Sequence, residues 1–156
     1  MIFNKEILIL EDNLHVLSVL LEKLYKLEGD QSNELSIMVL TNTEQVQTYV
    51  NSNAKANFDI IILDRDCKLN KSFHILDIER FGAEKVISIS TVPEYNQEAR
   101  KRGVKRIVLK DLKDIDEFAR KVVKEVEQMI TPSRLQHFSS IKQRFSTQSG
   151  KLINRS

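Results

Sequence analysis

Residues 60–67 read IIILDRDC: an apolar run breaks into Asp64 and Asp66 around Arg65, followed by Cys67, the single cysteine of the chain. Two carboxylates at this spacing suit a nucleophile with an acid/base partner, or a solvated turn. Three other apolar runs end in chemistry-bearing residues: ILIL (7–10) in Glu11-Asp12-Asn13, VISI (86–89) in Ser90-Thr91, and RIVL (106–109) in Lys110. Brought together, the carboxylates of Glu11, Asp12 and Asp64 repel one another unless a cation neutralises them. A set of oxygens without His or Cys selects a hard ion such as Mg2+. Such an ion binds phosphate oxygens, and aspartate is a competent nucleophile for an acyl phosphate. A lysine and a hydroxyl stabilise the equatorial oxygens of a phosphoryl group in transfer. The set therefore suits phosphoryl transfer to Asp64. Singly, each residue has an ordinary reading as a turn or a solvated charge; the signal is their joint occurrence at four strand ends.

That grouping requires the runs to be parallel strands of one sheet. Apolar strand-like runs alternate with helical patterns five times: KEILIL (5–10), LSIMVL (35–40), FDIIIL (58–63), VISIS (86–90) and RIVL (106–109). Between them, Leu14, Leu17, Leu20, Leu21 and Leu24 recur at helical spacing, and Val46, Tyr49 and Val50 mark a short second helix. A weaker pattern (Phe73, Leu76, Ile78) suggests a third helix around 72–81, and Pro93 opens a fourth that ends at Gly103. The last helix is the clearest, with Ile115, Phe118, Ala119, Val122, Val123, Val126, Met129 and Ile130 on one stripe. Near-continuous apolar strands separated by helices predict an α/β, flavodoxin-like, doubly wound sheet of five parallel strands with helices on both faces. The common order for such a sheet is 2-1-3-4-5, which puts the switch point between the first and third strands. Ligands bind beyond the carboxyl ends of the strands there.

Over residues 5–130 the chain resembles a response-regulator receiver domain, the CheY-like phosphoacceptor of two-component signalling. ILILEDN resembles the family's opening strand and acidic pair, IIILDRD its phosphoacceptor strand, VISIST its hydroxyl-bearing strand and RIVLK its lysine strand. The resemblance implies a phosphorelay switch in which Asp64 accepts the phosphoryl group of a phosphohistidine, from a histidine kinase or a phosphotransfer protein. Glu11, Asp12, Asp64 and the backbone carbonyl of Asp66 would hold Mg2+, and Ser90 and Lys110 would contact the phosphoryl oxygens. Such a protein is a switch with at most slow self-dephosphorylation, not an enzyme. Its responding surface is the fourth helix, fifth strand and last helix, here including Tyr95 and Ile107, and it meets an output protein or a second copy. Several positions depart from the family. RDCKLNKSFH lacks the family's Met-Pro and Asp-Gly, Lys110 precedes Asp111 instead of proline, and Ile107 stands where a switch aromatic is usual. Spacing back from Gly103 points to Ser88 as the hydroxyl, and the strand end points to Ser90, the reading preferred here.

Two alternatives stay open. A pseudo-receiver keeps the fold as an interaction module without phosphorylation, in keeping with Ile107, Asp111 and the altered loop. A haloacid-dehalogenase-like phosphatase would use Asp64 as nucleophile and Asp66 as acid/base, but that family carries its Asp-x-Asp on the first strand. Here a β-α-β-α section precedes it, and Lys68 replaces the usual Thr or Val.

Composition sets the remaining bounds. The 156 residues suit one domain, and 41% apolar with 29% charged residues is a globular balance. The net charge of +2 is uneven: 131–156 holds Arg134, Lys142, Arg144, Lys151 and Arg155 without an acid, leaving 19 basic against 22 acidic residues before it. A mildly acidic body does not suit nucleic acid, so none is expected as partner. Receiver-like residues 1–130 are thus followed by a basic, Ser/Thr-rich tail, disordered or forming a short amphipathic helix through Leu135, Phe138, Ile141 and Phe145. Apolar runs are too short to span a membrane, MIFNKEILIL does not look like a secretory leader, and a cytoplasmic location is expected. His15, His74 and His137 are scattered, which argues against zinc.

Overall fold

The computed structural model describes residues 3–31, 33–66 and 73–131. Strands β1 (Phe3–Leu10), β2 (Asn33–Leu40), β3 (Ile60–Asp64), β4 (Val86–Ser90) and β5 (Arg106–Leu109) form one parallel sheet in the order β2-β1-β3-β4-β5. This is the predicted flavodoxin-like order. Every residue of β3 and β4 is buried, because helices cover both faces of the central strands.

Strand alternation sorts the core into two layers. Ile7, Ile9, Ile60, Ile62, Ile87, Ile89 and Val108 meet α1 (Leu14–Asp30) and α5 (Ile115–Ile130). Leu8, Leu10, Ile61, Leu63 and Val86 face the other side, toward a short α2 (Thr43–Gln45) that runs on into a π-helical turn (Val46–Asn51), α3 (Ile78–Phe81) and α4 (Pro93–Lys101). The α5 stripe is borne out in its centre: Phe118, Ala119, Val122, Val126 and Ile130 are buried, while Ile115, Val123 and Met129 flank the core. Leu14 belongs to the predicted α1 pattern but is 70% exposed. It opens the helix directly after the cap, ahead of the turn that first reaches the sheet.

The third helix is shorter than its pattern suggests. A 3-10 turn (Phe73–Ile75) precedes α3, and Asp77 separates them by accepting a hydrogen bond from the Arg80 amide at 3.1 Å, an N-cap that starts a new helix. Gly82 then ends α3 at φ 98°. After α4 the chain reverses at Gly103, whose φ of 93° lies in the left-handed region. An alanine there would also bring its Cβ to 3.3 Å from that of Ala83. Gly103→Ala is expected to cost about 1–2 kcal/mol, read as a lower urea midpoint with an unchanged slope.

No described helix is long and apolar enough to cross a membrane. Cys67, Lys68 and the tail from 132 onward, with its amphipathic segment, lie outside the described residues.

Candidate functional site

The sheet register brings the four strand ends to one rim. Leu10 is level with Leu63, Asp64 with Ile89, and Ser90 with Leu109. The ladder continues one step further, with Glu11 N–H donating to Leu40 O at 3.3 Å, Arg65 N–H to Ile89 O at 2.8 Å and Lys110 N–H to Ser90 O at 2.7 Å. Beyond it lies a pocket of about 220 Å³ lined by Asp12, Asn13, Asp64, Asp66, Thr91, Lys110 and Leu112. Asn13 serves the fold as well, its side-chain oxygen capping α1 by accepting from the amides of His15 and Val16.

Lys110 is the centre of the charge arrangement. Its Nζ lies 2.9 Å from Glu11 Oε2, 2.8 Å from Asp64 Oδ1 and 3.7 Å from Asp66 Oδ2, and the Glu11 and Asp64 side chains are fully buried. Glu11 Oε1 also accepts from the Asn13 amide at 2.8 Å, and Asp64 Oδ1 from the Asp66 amide at 2.9 Å. Asp64 Oδ2 is buried without a hydrogen-bond partner. Burial, and then the Glu11 charge, push the Asp64 carboxyl up to about 8 against the pull of Lys110. Burial acts to lower the Lys110 pKa, but Asp64 and Glu11 together outweigh it and raise it.

One ammonium does not balance these acids. Glu11, Asp12 and Asp64 each offer an oxygen within 4.8 Å of the others. An unpartnered buried carboxylate oxygen in an all-oxygen set fits a hard divalent cation such as Mg2+.

The two serines separate cleanly. Ser88 Oγ donates to Asn96 Oδ1 at 2.8 Å, buried between β4 and α4, whereas Ser90, also buried, ends β4 beside the pocket-lining Asp66. Ser90 Oγ donates to Asp66 Oδ1 at 2.5 Å and accepts from the Val92 amide at 2.9 Å, and the Thr91 amide donates to Asp66 Oδ2 at 2.5 Å. The receiver resemblance draws on the backbone carbonyl of Asp66; its carboxylate is held beside the pocket as well. The Thr91 amide is a pocket-side donor that the strand-end pattern did not single out. The signal was present, since a strand end carrying Ser-Thr supplies a hydroxyl and a free amide to the neighbouring loop.

Arg65 does not share the pocket with the two aspartates that bracket it. It follows Asp64 by one residue, so strand alternation carries its side chain to the α4 face, where it is 1% exposed with Nη2 3.0 Å from Glu98 Oε2. His74 Nε2 reaches the same oxygen at 3.4 Å, and its ring meets Tyr95 edge-on with centroids 5.8 Å apart. Burial and then the Arg65 charge hold the His74 pKa below its usual value. Tyr95 is 43% exposed on α4, and Ile107 is partly buried against the core layer on that side.

No family model matches the chain, and no curated protein matches it significantly. Solved structures do. The Mn(2+)-bound form of response regulator Rcp1 aligns with a TM-score of 0.63 at 16% identity, over 83% of this chain and 99% of its own. The phosphorylated cyanobacterial phytochrome response regulator RcpA aligns at 0.63 and 17%, over 80% and 92%. A response regulator receiver domain from Rhodospirillum rubrum aligns at 0.52 and 16%, over 73% and 90%. At these identities the likeness is one of architecture, and it agrees with the strand order and the rim described above: the fold of this chain is that of a CheY-like response-regulator receiver domain.

Proposed function

We propose that the protein is a phosphorylation-dependent signalling switch with Asp64 as phosphoacceptor. The observation that carries this reading is the Asp64 carboxyl itself: buried, with one oxygen on Lys110 and the other unpartnered, at the end of a central strand facing a pocket. Glu11, Asp12 and Asp64, with the Asp66 carbonyl, would hold Mg2+, which supplies charge neutralisation for the incoming phosphate. Neighbours of the same fold include the Mn(2+)-bound form of Rcp1 and phosphorylated RcpA, which supports both parts of the proposal.

In the reaction, an Asp64 carboxylate oxygen forms a bond to phosphorus as the bond to the donor breaks, and the donor leaves with the electron pair. The donor is a phosphohistidine on a kinase or phosphotransfer protein. Lys110 balances the charge that the new phosphoryl group adds, and Ser90 Oγ is the hydroxyl within reach of its oxygens. The protein thus acts by changing state, not by turnover. Phosphorylation biases the surface of α4, β5 and α5, including Tyr95 and Ile107, toward an output protein or a second copy in the cytoplasm.

A second reading, the unphosphorylated pseudo-receiver, is favoured by one observation: the Ser90 hydroxyl is already engaged by Asp66. Incubation with Mg2+ and acetyl phosphate, followed by intact mass, separates the two. One phosphoryl adduct is expected on wild type and on Asp66→Asn but not on Asp64→Asn. No adduct and no Mg2+ binding would establish the pseudo-receiver, and steady ester hydrolysis requiring Asp66 would establish a phosphatase.

A further inference from the structure

The donors around Asp66 are those a phosphoryl group needs. A hydroxyl (Ser90 Oγ, 2.5 Å), a backbone amide (Thr91 N, 2.5 Å) and, more distantly, an ammonium (Lys110 Nζ, 3.7 Å) converge on one carboxylate. That carboxylate also lines the pocket into which Asp64 faces. The hydroxyl and the amide both donate to this one side chain, each to a different oxygen.

We propose that the Asp66 side chain is a built-in occupant of the anion cradle beside Asp64, holding the place of phosphoryl oxygens until they displace it. The inference rests on Asp64 being the phosphoacceptor. A tethered carboxylate competes at high effective concentration, because it never leaves the neighbourhood of its donors. Its hydrogen bonds are charge-assisted, so releasing it is costly. It also adds negative charge where a phosphate dianion must arrive. Phosphorylation therefore includes an exchange: Asp66 gives up Ser90 Oγ and Thr91 N–H, and oxygens bonded to the new phosphorus take them. The Asp66 side chain retains 21% of its surface in solvent, so a path outward is open. The same contact restrains the β4–α4 connection in the unphosphorylated protein, since Val92 N–H in turn donates to Ser90 Oγ at 2.9 Å. The switch consequently starts from a loop that is already gathered, and the exchange of one anion for another decides how it is held.

The test uses the full chain as wild type, Asp66→Asn and Asp66→Ala, 15N-labelled with Mg2+ present and titrated with inorganic phosphate. The Thr91 amide signal is expected to shift with a midpoint about tenfold lower in Asp66→Ala than in wild type, with Asp66→Asn between them. Equal midpoints, or no saturable shift in any of the three, overturn the inference. In parallel, acetyl phosphate is expected to form the Asp64 adduct about tenfold faster in Asp66→Ala, with acetate as the leaving group; equal rates count against the inference. Absence of an adduct in all three rejects Asp64 as phosphoacceptor, and the Thr91 titration still decides whether Asp66 occupies an anion cradle. Asp66→Asn guards against a folding defect, because it keeps the shape and an acceptor oxygen while losing the charge.

Discussion

Lys110→Met is expected to destabilise the metal-free protein by about 3–5 kcal/mol, the range for stripping one partner from a buried ion pair. Lys110 Nζ lies within 3 Å of two carboxylates whose side chains have no solvent contact, so their charges depend on it for compensation. Methionine keeps most of the side-chain volume, and the loss is therefore one of charge and not of packing. Urea unfolding in EDTA measures it. The deficit is expected to grow above about pH 8, where wild-type Asp64 ionises with the help of Lys110; without that ammonium the carboxyl is held still higher, and the folded variant loses further stability with each pH unit. Added Mg2+ is expected to restore part of the stability by taking over the neutralising role. A loss below about 1 kcal/mol, the level of an exposed pair, would mean that water or rearrangement relieves the carboxylates instead.

Asp64→Asn should act in the opposite direction. The folded protein binds the Asp64 proton up to about pH 8, whereas an unperturbed aspartate releases it near 3.8. A folded-state pKa above the unfolded one gives a contribution that is fully present below about pH 4. It is lost as the pH rises through 8. Over that window the metal-free wild type is expected to lose on the order of 5 kcal/mol relative to Asp64→Asn, which has no proton to lose at this site. Parallel urea titrations of both proteins at pH 5, 6.5 and 8.5 in EDTA check the slope, and parallel pH profiles would refute it. The same linkage predicts that Mg2+ binding to wild type releases a proton, with affinity rising up to tenfold per pH unit between 6 and 8. Calorimetry in buffers of different ionisation enthalpy counts that proton.

The legible part of this molecule is the part governed by strand periodicity and strand ends. Continuous apolar runs such as IIIL and VISI announce strands buried on both faces, and a parallel sheet places every residue that follows them on one rim. Glu11, Asp64, Ser90 and Lys110 could therefore be grouped without any knowledge of loops. Residues whose position depends on a turn were harder. The carboxylate of Asp66 is set by two donors on the neighbouring connection, a contact between loops that no periodicity encodes. Ser88 and Ser90 share a face, and only the length of β4 tells which one stands at the strand end. The third helix was blurred because Phe73, Leu76 and Ile78 are all buried yet belong to two different turns, with Asp77 capping the second. Arg65 follows a simpler rule: one residue after Asp64, alternation sends it to the opposite face of the sheet.

That alternation makes β3 a partition with a different tenant on each side. Asp64 looks out onto the acidic pocket, and Arg65 is rooted under α4, where its guanidinium meets Glu98. The carboxylate is 54% exposed while the guanidinium is sealed, so the tie is anchored in the interior and offers its free end to the surface. Between the pocket chemistry and the outer face of α4 there is consequently no long chain of intermediaries. The two are joined through a single peptide unit, and whatever tilts it is felt on both sides of the sheet.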